Sequence, residues 1–144
     1  MERLSVDDMK AIELDIMDEI DRVCAAHGVE YFLGYGTLLG AVRHGGFIPW
    51  DDDMDIVMMR DQYELLMDHF NKGASDRVID VVGEGNPDKT YPKSLFKPVR
   101  VKFEDREYAA PAGAEEFLTI EYGDWRTPPA ESDRAVHVME AYRL

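Results

Sequence analysis

The sequence predicts an α/β or α+β domain, a small mixed sheet flanked by helices, and three observations point there. Helical and strand-like segments alternate in the order helix, strand, helix, strand, helix, strand, and a hairpin and a short helix follow. The length of 144 residues suits a single domain, residues 1–144. Hydrophobic residues make up 45%, enough for one core and too many for a disordered chain.

The elements follow in order. Residues 6–27 read as a helix, because Met9, Ile12, Ile16, Ile20 and Val23 recur at spacings of three and four. Ser5 is placed to cap it, Asp7 and Asp8 suit its first turn, and Gly28 is a stop signal. Val29–Leu33 is a strand candidate broken by Gly34-Tyr35-Gly36. Thr37–His44 reads as a short helix capped by Thr37 and ended by Gly45-Gly46. Asp53–Met59 is a second strand, and Arg60–Asn71 an amphipathic helix with Tyr63, Leu66, Met67 and Phe70 on one side. Arg77–Val82 is a third strand, followed by a polar Gly/Pro loop over 84–92. Leu95–Phe103 and Arg106–Ala109 form the arms of a hairpin, Gly113–Tyr122 a short helix, and 131–142 a terminal helix.

Charge narrows the function. Sixteen basic against thirty acidic residues give a net charge of −14, which argues against bulk binding to nucleic acid or to an anionic membrane. Cys24 is the single cysteine, so neither an internal disulfide nor a cysteine-rich metal site is available, and its place beside the apolar stripe makes it a core residue. The sequence has no apolar run of membrane-spanning length and no apolar signal core, and the expectation is a cytoplasmic chain without a transmembrane segment.

The densest charge is W-D-D-D-M-D, Trp50–Asp55. On a strand, Asp53 and Asp55 would point the same way, roughly 7 Å apart at Cα. Two carboxylates so placed can grip Mg²⁺ (or Mn²⁺), a cation of hard oxygen ligands that would offset their repulsion. Asp51 and Asp52 read equally as supporting partners or as solvated turn residues. An EF-hand starting at Asp51 fails, since Ile56 and Gln62 stand where its glycine and glutamate belong.

Upstream lies L-G-Y-G-T-L-L-G, residues 33–40, between a strand and a helix. Gly36 would let a phosphate approach the backbone, the amides of Thr37 and Leu38 would meet it at a helix N-terminus, and Thr37 would add a hydroxyl. An ordinary turn with a helix cap explains the same residues. A phosphate cradle followed by a strand bearing two carboxylates is the layout of metal-dependent phosphoryl transfer. Arg43 either pairs with phosphate or complements its helix end, and His44 reads as a polar helix end.

Residues 31–56, Y-F-L-G-Y-G-T-L-L-G-A-V-R-H-G-G-F-I-P-W-D-D-D-M-D-I, closely resemble the signature of the LicD family, which includes fukutin and fukutin-related protein and belongs to the DNA polymerase beta-like nucleotidyltransferase superfamily. Residues 115–129, E-E-F-L-T-I-E-Y-G-D-W-R-T-P-P, resemble the family's C-terminal pattern. The resemblance implies a nucleotidyltransferase core, with Asp53 and Asp55 as the metal-binding and catalytic pair and Gly36 and Thr37 at the nucleotide phosphates. It implies transfer of a phospho-alcohol, such as phosphocholine, from a CDP-activated donor to a hydroxyl of a cell-surface saccharide (lipopolysaccharide or teichoic acid), releasing CMP. The middle of this chain is shorter than the family's and lacks its aspartate–isoleucine–phenylalanine–proline segment. A third carboxylate would have to come from Asp80, Glu104 or another residue. Two alternatives stand beside this reading: transfer of NMP itself, and an inactive domain that binds a nucleotide or a partner. Of the surrounding aromatics, Tyr35 and Trp50 could cover a base or a choline-like cation.

Overall fold

The computed structural model describes residues 1–72, 89–136 and 140–143. After a short strand β1 (Glu2–Arg3), helix α1 runs Val6–His27. Its start is a reciprocal capping box: the Asp8 amide donates to Ser5 Oγ (3.1 Å) and the Ser5 amide to Asp8 Oδ2 (3.0 Å), a device worth about 1 kcal/mol. The buried face is rotated from the expected stripe. Met9, Leu14, Met17, Val23 and Cys24 are buried, Ile16 and Ile20 half-buried, and Ile12 exposed. Apolar residues occur around most of this helix, so its partners choose the face.

Strand β2 (Phe32–Leu33) is shorter than expected, and helix α2 (Tyr35–His44) starts directly after Gly34. Thr37 therefore lies inside the helix and does not cap it. Strand β3 is only Ile56–Val57, antiparallel to β2 with Phe32 opposite Val57 and Leu33 opposite Ile56. Asp53 and Asp55 precede it, in a loop rather than a strand. Helix α3 (Arg60–Asn71) buries Leu66 and half-buries Tyr63, Met67 and Phe70, as the sequence predicts. The expected third strand at 77–82, and Asp80 with it, lie outside the described residues.

A 3₁₀ turn at Lys93–Leu95 leads into the hairpin of β4 (Pro98–Phe103) and β5 (Arg106–Pro111), which turns at Glu104-Asp105. Helix α4 covers Ala114–Tyr122. The terminal helix expected over 131–142 is not formed by the described residues there. Glu131–Asp133 is a 3₁₀ turn, Arg134 is extended, and β6 (Tyr142–Arg143) pairs antiparallel with β1. Pairing with the opposite end of the chain overrides local preference.

The class is mixed α and β. Instead of one mixed sheet, the described strands form three two-stranded antiparallel ribbons. The core gathers Phe32, Leu33, Leu38, Phe103, Tyr108, Phe117 and Leu118, all fully buried, each contributing about 2 kcal/mol of burial. Among the described residues, no helix is long and apolar enough to cross a membrane.

Candidate active site

The loop from Gly45 to Asp55 is laid against α2. At Gly40 an added Cβ would sit 2.3 Å from the Gly46 carbonyl oxygen, so the backbones meet where only glycine fits. At Gly36 it would sit 2.8 Å from Asp51 Oδ2. The glycines spaced along L-G-Y-G-T-L-L-G thus admit the aspartate loop itself. Thr37 is buried, and its hydroxyl accepts the Asp55 amide at 2.7 Å. The Gly34 amide donates to the Asp55 carbonyl at 3.1 Å. Both bonds fix Asp55 beside the start of α2.

These elements wall one open cavity of about 530 Å³. Tyr35, Gly36 and Arg43 line it from α2, Trp50, Asp51, Asp53 and Asp55 from the loop, and Tyr122, Asp124 and Trp125 from the far side. Of the sequence-predicted residues, Asp53, Asp55, Gly36 and Arg43 meet there, while Thr37 sits beneath. Leu38, expected to offer its amide, donates it to the Gly34 carbonyl at 3.0 Å. The amides at the head of α2 belong to Tyr35, Gly36 and Thr37. Tyr35 takes a left-handed φ of 46°, rare for a non-glycine residue and a strain of about 1–3 kcal/mol located at the cavity lip.

The electrostatics are one-sided. Arg43 is the one basic side chain among the described residues lining the cavity, and it is engaged: Nη1 donates to the Trp125 carbonyl (2.7 Å) and Nε to His44 Nε2 (3.0 Å). Burial, then the hydrogen bond and charge of Asp53, push the Asp51 carboxyl up to about 6. Asp55 is raised by burial and by Asp53. Asp51, which the sequence left between two roles, is thus part of the site. Asp52 turns inward instead: it is 6% exposed and its Oδ1 has no hydrogen-bond partner.

The sequence reading missed Glu13. It projects from α1, with its Oε2 buried and unpartnered. Burial first, then the charges of Asp53, Asp52, Asp51 and Asp55, push its carboxyl up to about 8. A signal was present: Glu13 interrupts the row Met9, Glu13, Met17, four residues from each buried neighbour. Glu104, a candidate third carboxylate, serves elsewhere. Its Oε1 accepts the Phe47 amide at 2.9 Å and presses on Gly46.

Trp50 does not present a bare face. The Arg134 guanidinium lies 4.1 Å from its ring centroid, a cation–π contact, and His44 meets it edge-on at 6.3 Å. Tyr35 packs edge-on against Phe117 at 5.8 Å.

Among the described residues, no group of three or more His, Cys, Asp and Glu could hold a metal unaided. A caged metal does not fit. A hard divalent cation does, since Mg²⁺ commonly takes one or two carboxylates and fills its shell with water and substrate phosphate. Asp53 and Asp55 offer those oxygens into the cavity, next to the head of α2.

Residues 28–85 match the family model described as LicD/FKTN/FKRP, nucleotidyltransferase domain. The lipopolysaccharide cholinephosphotransferase LicD of Haemophilus influenzae is 39% identical over 93 residues, covering 58% of this chain and 35% of its own length. The human ribitol 5-phosphate transferase FKRP is 59% identical over 34 residues, covering 24% of this chain and 7% of its own. Mannosyltransferase regulator 4 of Saccharomyces cerevisiae is 38% identical over 47 residues, 33% of this chain and 4% of its own. The chain thus spans about a third of the first relative and far less of the other two.

Proposed function

Over residues 28–85 the chain belongs to the LicD/FKTN/FKRP family, and on that premise we propose that it is a metal-dependent phosphotransferase with a nucleotidyltransferase core. It moves a phospho-alcohol such as phosphocholine from a CDP-activated donor to a saccharide hydroxyl and releases CMP. One observation carries the reading: Asp53 and Asp55 open into a single cavity with the head of α2, inside the segment that matches the family.

Each residue then has a task. Asp53 and Asp55 hold Mg²⁺ or Mn²⁺, which when bound neutralises charge on the donor's diphosphate. The amides of Tyr35, Gly36 and Thr37 face phosphate oxygens with the partial positive end of α2 behind them. Thr37 holds the Asp55 backbone in place from below. Arg43, tethered to Trp125, directs its remaining donor hydrogens at the phosphate. The acceptor hydroxyl oxygen attacks the phosphorus that bears the alcohol, the bond to CMP breaks on the opposite side, and the hydroxyl proton leaves to solvent.

The names of the bacterial and human relatives support a phospho-alcohol as the transferred group. Transfer of NMP would instead release pyrophosphate or another leaving group in place of CMP, so product analysis separates the two. The yeast relative's designation as a regulator supports the second alternative, a binding domain without turnover.

The test is a thermal-shift titration with Mg²⁺ and CDP-choline, CDP-ribitol, CDP-glycerol, CMP or ATP, for wild type, Asp53→Ala and Asp55→Ala. A cation-dependent shift with one CDP-alcohol, absent in both variants, followed by CMP release from that donor, is the expected outcome. No nucleotide shift at saturating cation would overturn the reading in favour of the binding domain.

A further inference from the structure

Glu13 and Asp52 are not explained by the reaction above. Asp52 is more than nine-tenths buried with Oδ1 unpartnered, and Glu13 Oε2 is buried and unpartnered as well. Helix α1 and the aspartate loop wall a common cavity, lined by Met9 from the helix and by Asp51 and Asp52 from the loop, and Glu13 stands one turn on from Met9. Glu13 stands in a row with Met9 and Met17, where an apolar side chain would pack without penalty. Buried carboxylates without donors cost stability unless a cation compensates them. No described basic side chain pairs with either one, although the same helix pairs Asp18 and Asp21 with arginines.

We propose that Glu13 and Asp52 form a buried anionic layer behind Asp53 and Asp55, which tightens divalent-cation binding there and makes the bound cation a tie between α1 and the aspartate loop. The inference rests on the metal reading of the proposed function. Asp53 and Asp55 remain the direct ligands. Glu13 and Asp52 are positioning residues, acting through the field they add and through the loop they support. Such outer groups commonly change metal affinity by about 10–100-fold.

The two roles of this layer have opposite signs, and that makes a test. Without metal, the unpaired carboxylates oppose folding. With metal, they favour it. The 144-residue chain is titrated with MgCl₂ and MnCl₂ by calorimetry and thermal shift, as wild type, Glu13→Gln, Asp52→Asn and Asp53→Asn. Both Gln and Asn keep the shape of the side chain they replace. Glu13→Gln and Asp52→Asn are expected to raise the metal-free Tm by about 4 °C and to weaken the cation Kd at least about tenfold. A merely structural role would move Tm and leave Kd alone, and that result overturns the inference. So does a metal-free Tm that falls in both variants. Loss of cation binding in Asp53→Asn, with a wild-type shift intact, confirms the parent reading independently. A wild type without any cation response overturns the parent reading and this one with it.

Discussion

Helix α1 carries acids paired with arginines on one side and, on the other, an acid that no described basic side chain pairs with. Toward the β4–β5 hairpin, its aspartates are matched: Asp21 takes Arg100 at 2.7 Å, and Asp18 takes Arg106 at 2.8 Å, with Asp15 at 3.5 Å. Two tyrosines join them, Tyr31 donating to Asp21 (2.5 Å) and Tyr108 to Asp18 (2.6 Å). Toward the aspartate loop, burial and then the charges of Asp53, Asp52, Asp51 and Asp55 raise the Glu13 carboxyl, and its Oε2 has no hydrogen-bond partner. Exposed ion pairs contribute only about 0–1 kcal/mol each, so the matched side is no great store of stability. The contrast shows instead that this fold pairs the acids it uses for structure. The unmatched set costs stability, and on the proposed function it lies where a cation and phosphate would meet it.

The sharpest way to break the comparison is to remove one acid from each side. On the proposed function, Asp53→Asn and Asp55→Asn should each lower kcat/KM by about 1000-fold, since a carboxylate that holds the metal would act mainly in the transition state. Urea melts of the same proteins should show equal or higher stability, because a repelling charge is gone. Asp18→Asn should do the reverse, with activity kept and stability lowered by about 1 kcal/mol. If Asp53→Asn destabilised the fold and spared turnover, the division into a structural and a chemical side would be wrong.

The next effect is confined to the matched side. The Tyr31 hydroxyl donates to Asp21 and accepts the buried Ala109 amide at 3.2 Å, joining α1 to β5. Tyr31→Phe strands the Ala109 amide and leaves Asp21 to Arg100 alone, and should cost about 2 kcal/mol in chemical denaturation. Cation affinity should be unchanged, which separates this loss from the behaviour expected of Glu13→Gln.

The sequence revealed these two sides unequally. Caps and periodicity gave α1, α3 and the hairpin, because Ser5, Gly28 and the Glu104-Asp105 turn act locally. The strands at Phe32–Leu33 and Ile56–Val57 are shorter than the β-forming runs that contain them, since pairing is decided by what crosses from elsewhere. Thr37 resembled a helix cap, and nothing local shows that Tyr35 enters the helix with a left-handed backbone. The pair Asp53 and Asp55 stood out by composition. Glu13 did not, because its partners lie about forty residues away in sequence, and only its intrusion into the Met9–Met17 row marks it.

Acid titration should split the sides in opposite directions, in metal-free buffer with chelator. Burial pushes Asp21 upward, but hydrogen bonds from Arg100 and Tyr31 and the Arg100 charge outweigh it, so its carboxyl ends below the ordinary 3.8. A lowered carboxylate contributes stability above its unfolded value and loses it as pH falls through the folded one. Asp21→Asn should flatten that acid limb. Glu13 is raised from 4.5 to about 8, so its contribution is full below 4.5 and is lost as pH rises to about 8. Glu13→Gln should remove this decline, a gain of about 1–2 kcal/mol near pH 8 after allowing for partial exposure.

The smallest effect is kinetic and reads out the helix between the two sides. Cys24 is 2% exposed on α1, and burial, then the charge of Asp21, push its thiol up to about 12. The thiolate is the reacting form, so labelling by a disulfide reagent at neutral pH should be at least about 100-fold slower in the folded chain than in urea. Reaction in the native state must wait for α1 to open locally. A cation that ties α1 to the aspartate loop would lower that opening, and added Mg²⁺ should slow labelling further in wild type and less in Glu13→Gln. Equal slowing in both proteins would mean that the cation's hold on the fold does not pass through the unmatched face of α1.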